Sequence, residues 1–227
     1  LKLEVPDPFS SGRMPVNLES LKLISEHINK PLYVSIQGPF TLAIQLAGAT
    51  HLLRSIVKNP EFVERILDFT TDAKAVEKSG AQYISISEPG TVTLSPDNFI
   101  KYVIPRVNSI FDRLKCWKGM HICGDTSHFL DLMLECNLHA VSLDQIMDYE
   151  KVIERIPDDI VLIGNLDPIQ LIGRGTAEEI EKETKELNHK MNPYRNYLCA
   201  FGCNCLNDTP VVNLQTAIKT ARRSIKK

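Results

Sequence analysis

Charge of one sign is the first thing this sequence lacks: 26 basic and 28 acidic residues leave a formal net charge of −2. A near-balanced chain gives no electrostatic argument for nucleic acid or an anionic membrane surface, and neither is expected as a partner. Long apolar runs are missing too. None approaches the roughly 18 residues a spanning helix needs, and no signal-peptide pattern is visible. Cysteine is present but sparse: six thiols in 227 residues (Cys116, Cys123, Cys136, Cys199, Cys203, Cys205) fall short of the density of a secreted disulfide scaffold. Reduced thiols in the cytoplasm are the expectation, and reduced thiols are what a metal site requires. Linkers, low-complexity tracts and a phosphate loop are also missing, since Gly173-Arg174-Gly175 is a glycine turn without the rest of a P-loop.

What is there is 43% hydrophobic, enough for one globular domain over residues 1–227 with an ample core. Apolar spacing of three and four over Leu18, Leu21, Ile24 and Ile28 predicts a helix after Pro15. Strands are expected at 31–37, 82–88, around His121, at 138–144, 160–165 and 196–201, most of them closed by glycine, proline or an acid. Helices are expected from Phe40 to Ala47, from Asn59-Pro60 to about Lys78-Ser79-Gly80, and from Ser95-Pro96 towards Lys115, divided by Pro105. Further helices follow at 127–136, 150–156 and 176–190, and the last runs from Thr209-Pro210 to Lys226, its basic tail matching the helix dipole. Such alternation predicts an α/β fold with a parallel sheet, for which a doubly wound sheet and a (β/α)8 barrel both serve.

The polar residues favour the barrel. Gln37, Glu88, His121 with Cys123, Asp144, Asn165 and Cys203 each fall at or just beyond the C-terminal end of a strand, and in a TIM barrel those ends share one mouth. Six strands are two short of eight, so the barrel is expected to lack its N-terminal βα units in this chain. The opening residues, Leu1 to Pro8, read as the tail of something longer.

Within that frame the stretch Gly119-Met120-His121-Ile122-Cys123-Gly124-Asp125 stands out. Side chains at i and i+2 of a strand share a face, so His121 and Cys123 can grip one metal ion. Cys203, in Phe201-Gly202-Cys203-Asn204-Cys205, is the best third ligand, with Cys205 as its alternative. Glu88 has two readings, a fourth ligand displaced by substrate or an N-terminal or loop carboxylate. Asp144 and Asn165 either orient His121 or contact substrate, or else they cap the helices that follow. Asp167 reads as a turn and cap residue, Cys199 as barrel filling, Cys116 and Cys136 as helix packing, and His128 and His139 as structural histidines.

The words Gly38-Pro39-Phe40-Thr41-Leu42-Ala43, Leu94-Ser95-Pro96, His121-Ile122-Cys123-Gly124-Asp125, Ser142-Leu143-Asp144, Gly164-Asn165-Leu166-Asp167-Pro168 and Gly202-Cys203 with Thr209-Pro210 resemble the uroporphyrinogen decarboxylase superfamily, in its order and over nearly the whole chain. The arginine-bearing N-terminal motif of the true decarboxylases is absent, and Cys203 stands where they carry a histidine. The chain is more similar to the zinc-dependent methylcobamide:coenzyme M methyltransferases. That resemblance implies Zn²⁺ on His121, Cys123 and Cys203, and a methylated corrinoid on a separate carrier protein as donor. A small thiol such as coenzyme M would be the acceptor, attacking the methyl group as a zinc-activated thiolate. The alternatives it leaves are a decarboxylase and a corrinoid/tetrahydrofolate methyltransferase. Two thiolates and a neutral imidazole cancel the charge of Zn²⁺, which suits alkyl transfer to sulfur better than the hydrolytic use of an acidified water.

Overall fold

A computed structural model of the protein describes residues 4–71 and 80–224. The expected helix end at Lys78-Ser79 and the reach of the last helix to Lys226 lie outside the described residues. The chain divides into two compact units, residues 1–121 with 131–138, and residues 122–130 with 139–227.

In the first unit, α1 (Met14–His27) leads into strand β1 (Tyr33–Gln37), then α2 (Pro39–Ala47), α3 (Ala49–Lys58) and α4 (Pro60–Thr70). Strand β2 (Tyr83–Ser87) passes through a 3-10 turn (Pro89–Thr93) into α5 (Pro96–Tyr102), α6 (Ile104–Phe111) and β3 (Trp117–Ile122), and α7 (Leu130–Leu134) follows. Local chemistry sets these boundaries. Asn59 and Ser95 accept the amides of Phe62 and Asn98 at 3.2 and 3.4 Å, each followed by a proline that needs no amide partner in the first turn. Pro105 divides α5 from α6 as its missing N–H requires. Helix α3 is the element the sequence reading did not anticipate. Gly48, at φ +80°, ends α2, and the two helices diverge by 106°.

In the second unit, β4 (Ala140–Leu143), α8 (Tyr149–Ile153), β5 (Val161–Leu166), α9 (Ala177–Met191), β6 (Tyr197–Phe201) and α10 (Val211–Ser224) alternate. Thr176 and Glu179 close a reciprocal capping box at the start of α9.

Pairing is parallel in both units, β1–β2–β3 in the first and β4–β5–β6 in the second. The registers bring strand ends level. Gln37 stands beside Ser87 and Ser87 beside His121, while Leu166 stands beside Phe201. β2 is covered on both faces, as parallel strands under crossover helices are. Its Ile84 and Ile86 pack in a core with Phe40, Phe99, Val107, Phe111 and Met120, each no more than 2% exposed. Leu166, Ile172, Ile180 and Ala217 form a second core cluster, closed by Leu171, Leu187 and Leu214. No single helix among the described residues is long and apolar enough to cross a membrane.

Candidate metal centre

Strand β3 ends in His121-Ile122, and the alternation that buries Ile122 leaves His121 half-buried on the other face. Cys123 follows on the same side as His121. The chain then turns at Gly124, whose φ of +90° favours glycine. Asp144, just past β4, holds that turn: its Oδ2 accepts the Gly124 amide at 2.8 Å and its Oδ1 the Ile146 amide at 3.1 Å. Asp144 as a whole is 8% exposed. Asp144 therefore anchors the turn after Cys123, a duty that differs from the expected ones of orienting His121, contacting substrate or capping a helix.

Cys203 arrives from the end of β6 through Gly202. The Gly202 amide donates to Leu166 O at 2.8 Å. A β-carbon at Gly202 would stand 2.5 Å from the backbone nitrogen of Gln145 and 3.0 Å from its Cα. Only glycine fits there, and this close approach sets the path that delivers Cys203. The result is a Cys123 Sγ to Cys203 Sγ separation of 2.8 Å. One ligand atom from each of His121, Cys123 and Cys203 lies within 4.8 Å of the others, and this is the one such group of three found among the described residues. Cys205, the alternative, is not in it.

Burial sets the state of the Cys123 thiol before any ion binds. Burial, then the neighbouring Cys203 and then the charge of Asp144 push the Cys123 thiol up to about 12. Without a positive ion, this sulfur keeps its proton at neutral pH. A bound dication reverses that preference, because metal binding selects the thiolate. The donor set of two sulfurs and an imidazole nitrogen is a zinc-type set with one tetrahedral position to spare. Zn–S bonds of about 2.3 Å place two sulfurs about 3.8 Å apart at the tetrahedral angle, so the pair opens by about 1 Å to accept the ion. That adjustment is within the reach of side-chain rotation, and the residues fit the group.

Glu88 is placed elsewhere than among the ligands. Fully buried, it sits on the N-terminus of α2, where Oε1 accepts the Phe40 amide at 2.9 Å and Oε2 accepts the Thr41 amide and hydroxyl at 2.8 and 2.7 Å. Burial pushes its carboxyl up to about 7, against the pull of those Thr41 and Phe40 donors. Its own amide donates to His121 O at 2.8 Å, so Glu88 braces β3 and caps α2 at once. Asn165, near the end of β5, donates through Nδ2 to Met147 O at 2.8 Å. Asp167 is the turn residue expected, accepting the amides of Ile169 and Gln170.

Sequence reasoning missed three supports: Thr41, which completes the cradle around Glu88; Gln145, against which Gly202 packs; and Met147, which meets Asn165. The signal for Thr41 was available, since a strand, a glycine and a proline-led helix announce free amides that a buried carboxylate could cap. Nothing in the spacing marks Gln145 or Met147. Cys136 is buried, its thiol pushed up to about 12 by burial, though it lies past the end of α7 and not on a helix. Cys116 lies in the turn before β3 and not on a helix. Cys199 is half-buried against the second core cluster.

A cavity of about 530 Å³ opens in the second unit between the end of β5 and α9. Gln145 and Asn165 line it with Asp167, Glu179, Glu183 and Glu186, against one ammonium from Lys190.

A parallel βα fold with soft, metal-competent donors at its strand ends defines the class of protein. Within that class the chain belongs to the uroporphyrinogen decarboxylase family, which it matches over residues 1–224. It is 30% identical over 226 residues to the methylcobamide:CoM methyltransferase MtbA of Methanosarcina acetivorans, covering 94% of this chain and 65% of that protein. It is 26% identical to the uroporphyrinogen decarboxylase of Carboxydothermus hydrogenoformans, over 91% of this chain and 63% of the relative. A methyltransferase from Methanosarcina mazei superposes with a TM-score of 0.88 at 25% identity, over 98% of this chain and 68% of the other. The chain thus spans just under two thirds of the length of these curated relatives.

Proposed function

We propose that this chain carries the metal-binding end of a methyltransferase that moves a methyl group from a methylated corrinoid to a small thiol. Zn²⁺ would be held by His121, Cys123 and Cys203, and a separate corrinoid carrier protein would present the donor. The observation that carries this reading is the convergence of two thiols and one imidazole on one point.

Zinc, when bound, would supply a position where a substrate thiol loses its proton while the two protein thiolates keep the net charge low enough for sulfur to stay electron-rich. The protein's own residues do the rest. His121 and Cys123 present two donors from one strand face, and Asp144 pins the turn after Cys123 so that its sulfur is aimed before the ion arrives. Gly202 lets the β6 segment close on Gln145 and bring in Cys203. Loading the site displaces the proton that burial keeps on Cys123, so metal uptake releases protons. The acceptor is left as a class. Tetrahydrofolate is the non-thiol acceptor to compare.

Freshly purified protein should contain about one zinc per chain, as a single three-donor set with one open position demands. His121→Ala and Cys203→Ala should each reduce this to about a tenth or less under the same dialysis. Zinc content unchanged in both variants removes the proposal. Methylcobalamin demethylation, followed spectroscopically with coenzyme M, homocysteine or tetrahydrofolate offered in turn, then identifies the acceptor.

A further inference from the structure

The two sulfurs that converge at this centre have a second chemistry open to them. Neither Cys123 nor Cys203 is in a disulfide, and both are half-buried and so within reach of small solutes. Their 2.8 Å separation lies between two bonded arrangements. A disulfide needs about 2.05 Å, and two sulfurs sharing a tetrahedral zinc need about 3.8 Å. Each is under about 1 Å from the observed spacing, in opposite directions. They exclude each other, because a sulfur that has given its electron pair to an S–S bond is no longer a thiolate ligand.

Both cysteines sit in segments able to make that movement. Cys123 precedes the Gly124 turn, and Cys203 lies in the irregular stretch between β6 and α10. Neither sulfur is fixed inside a helix or in the middle of a strand.

We propose that Cys123 and Cys203 form a reversible disulfide, and that its formation and metal loading compete for the same two sulfurs. The oxidant class is a peroxide. One thiol is oxidised to a sulfenic acid as the peroxide is reduced, releasing one water. The neighbouring sulfur then attacks the sulfenic sulfur, the S–S bond forms and a second water leaves. In sum, two thiols and one hydrogen peroxide give one disulfide and two waters. A dithiol reductant reverses it by exchange, taking up the disulfide itself. The short separation favours capture of the sulfenic acid by its neighbour over further oxidation to sulfinic acid. The metal competition rests on the zinc reading above; the disulfide rests on the sulfur geometry alone.

The test uses the full chain, reduced, with and without one equivalent of ZnCl₂, exposed to hydrogen peroxide and digested without reduction. Mass spectrometry is expected to find the peptides of Cys123 and Cys203 joined, and dithiothreitol to separate them. In the zinc-loaded sample, about one zinc should be released to a colorimetric chelator per disulfide formed. Cys205→Ser should leave the cross-link intact, and Cys203→Ser should abolish it while circular dichroism confirms a folded chain. Sulfinic acid on both residues without a cross-link overturns the proposal, as does a bond from either one to Cys205 or Cys199. Zinc that stays bound beside a complete cross-link overturns the competition. A cross-link in a chain that takes up no zinc supports the disulfide and removes the metal reading, so the two fail separately.

Discussion

Asp144 spends both carboxylate oxygens on backbone amides, one of them the amide that follows Cys123. Asp144→Ala removes both anchors and should weaken zinc affinity by about 10- to 100-fold, as the loss of residues that orient a ligand typically does. Asp144→Asn keeps one acceptor and should fall between; competition with a fluorescent chelator measures each. Glu88 makes a different prediction. Its folded carboxyl holds a proton to about pH 7, whereas the ordinary value is 4.5. Between those limits the folded chain binds more protons than the unfolded one, so this group's contribution to stability falls as pH rises. It is complete below about pH 4.5 and gone above about pH 7, and its size is about 3 kcal/mol. Urea unfolding across pH 4.5–7.5 should show this slope, and Glu88→Gln should flatten it by that amount. The pairing of His121 with Cys123 on one side of the chain was legible from spacing, because an i, i+2 pair at a strand end is a local fact. The grip of Asp144 on Gly124 and of Glu88 on Phe40 and Thr41 was not, because those amides belong to a turn and a helix start that are distant in sequence.

At the scale of elements, the end of β6 is set by one contact. Gly202 lies against the Gln145 backbone, where a methyl group has no room. Gly202→Ala should therefore cost about 1–3 kcal/mol of stability by overpacking, and it should lower zinc occupancy by moving Cys203. Chemical denaturation and metal analysis read the two effects independently. Element types and order were largely readable: proline and capping residues placed α2, α4, α5 and α9, and Pro105 divided α5 from α6 as expected. What escaped was α3, since a glycine at the end of α2 looks like a stop until the chain is seen to turn and begin again. The helix expected over 127–136 shrinks to Leu130–Leu134, because Ser127 is held in a turn by Asp125 Oδ1 at 2.9 Å.

For the whole molecule, periodicity and punctuation were enough to give the α/β class with parallel pairing, and each unit bears this out in its registers. The meeting of His121 with Cys203 was not readable from either stretch alone, since they are 82 positions apart in the chain. It became readable only through the order of family words. Glu88 links parts of the first unit that are equally distant in sequence. Its main chain grips the His121 carbonyl of β3, and its side chain grips the Phe40 and Thr41 amides of α2. Deuterium uptake at Phe40 and Thr41 should thus serve as a remote gauge of how firmly the imidazole's strand is seated. Zinc added to the wild-type chain should slow exchange at those two amides by about threefold or more, a small shift in local opening free energy. In Glu88→Ala the same two positions should exchange fast, and they should ignore the ion.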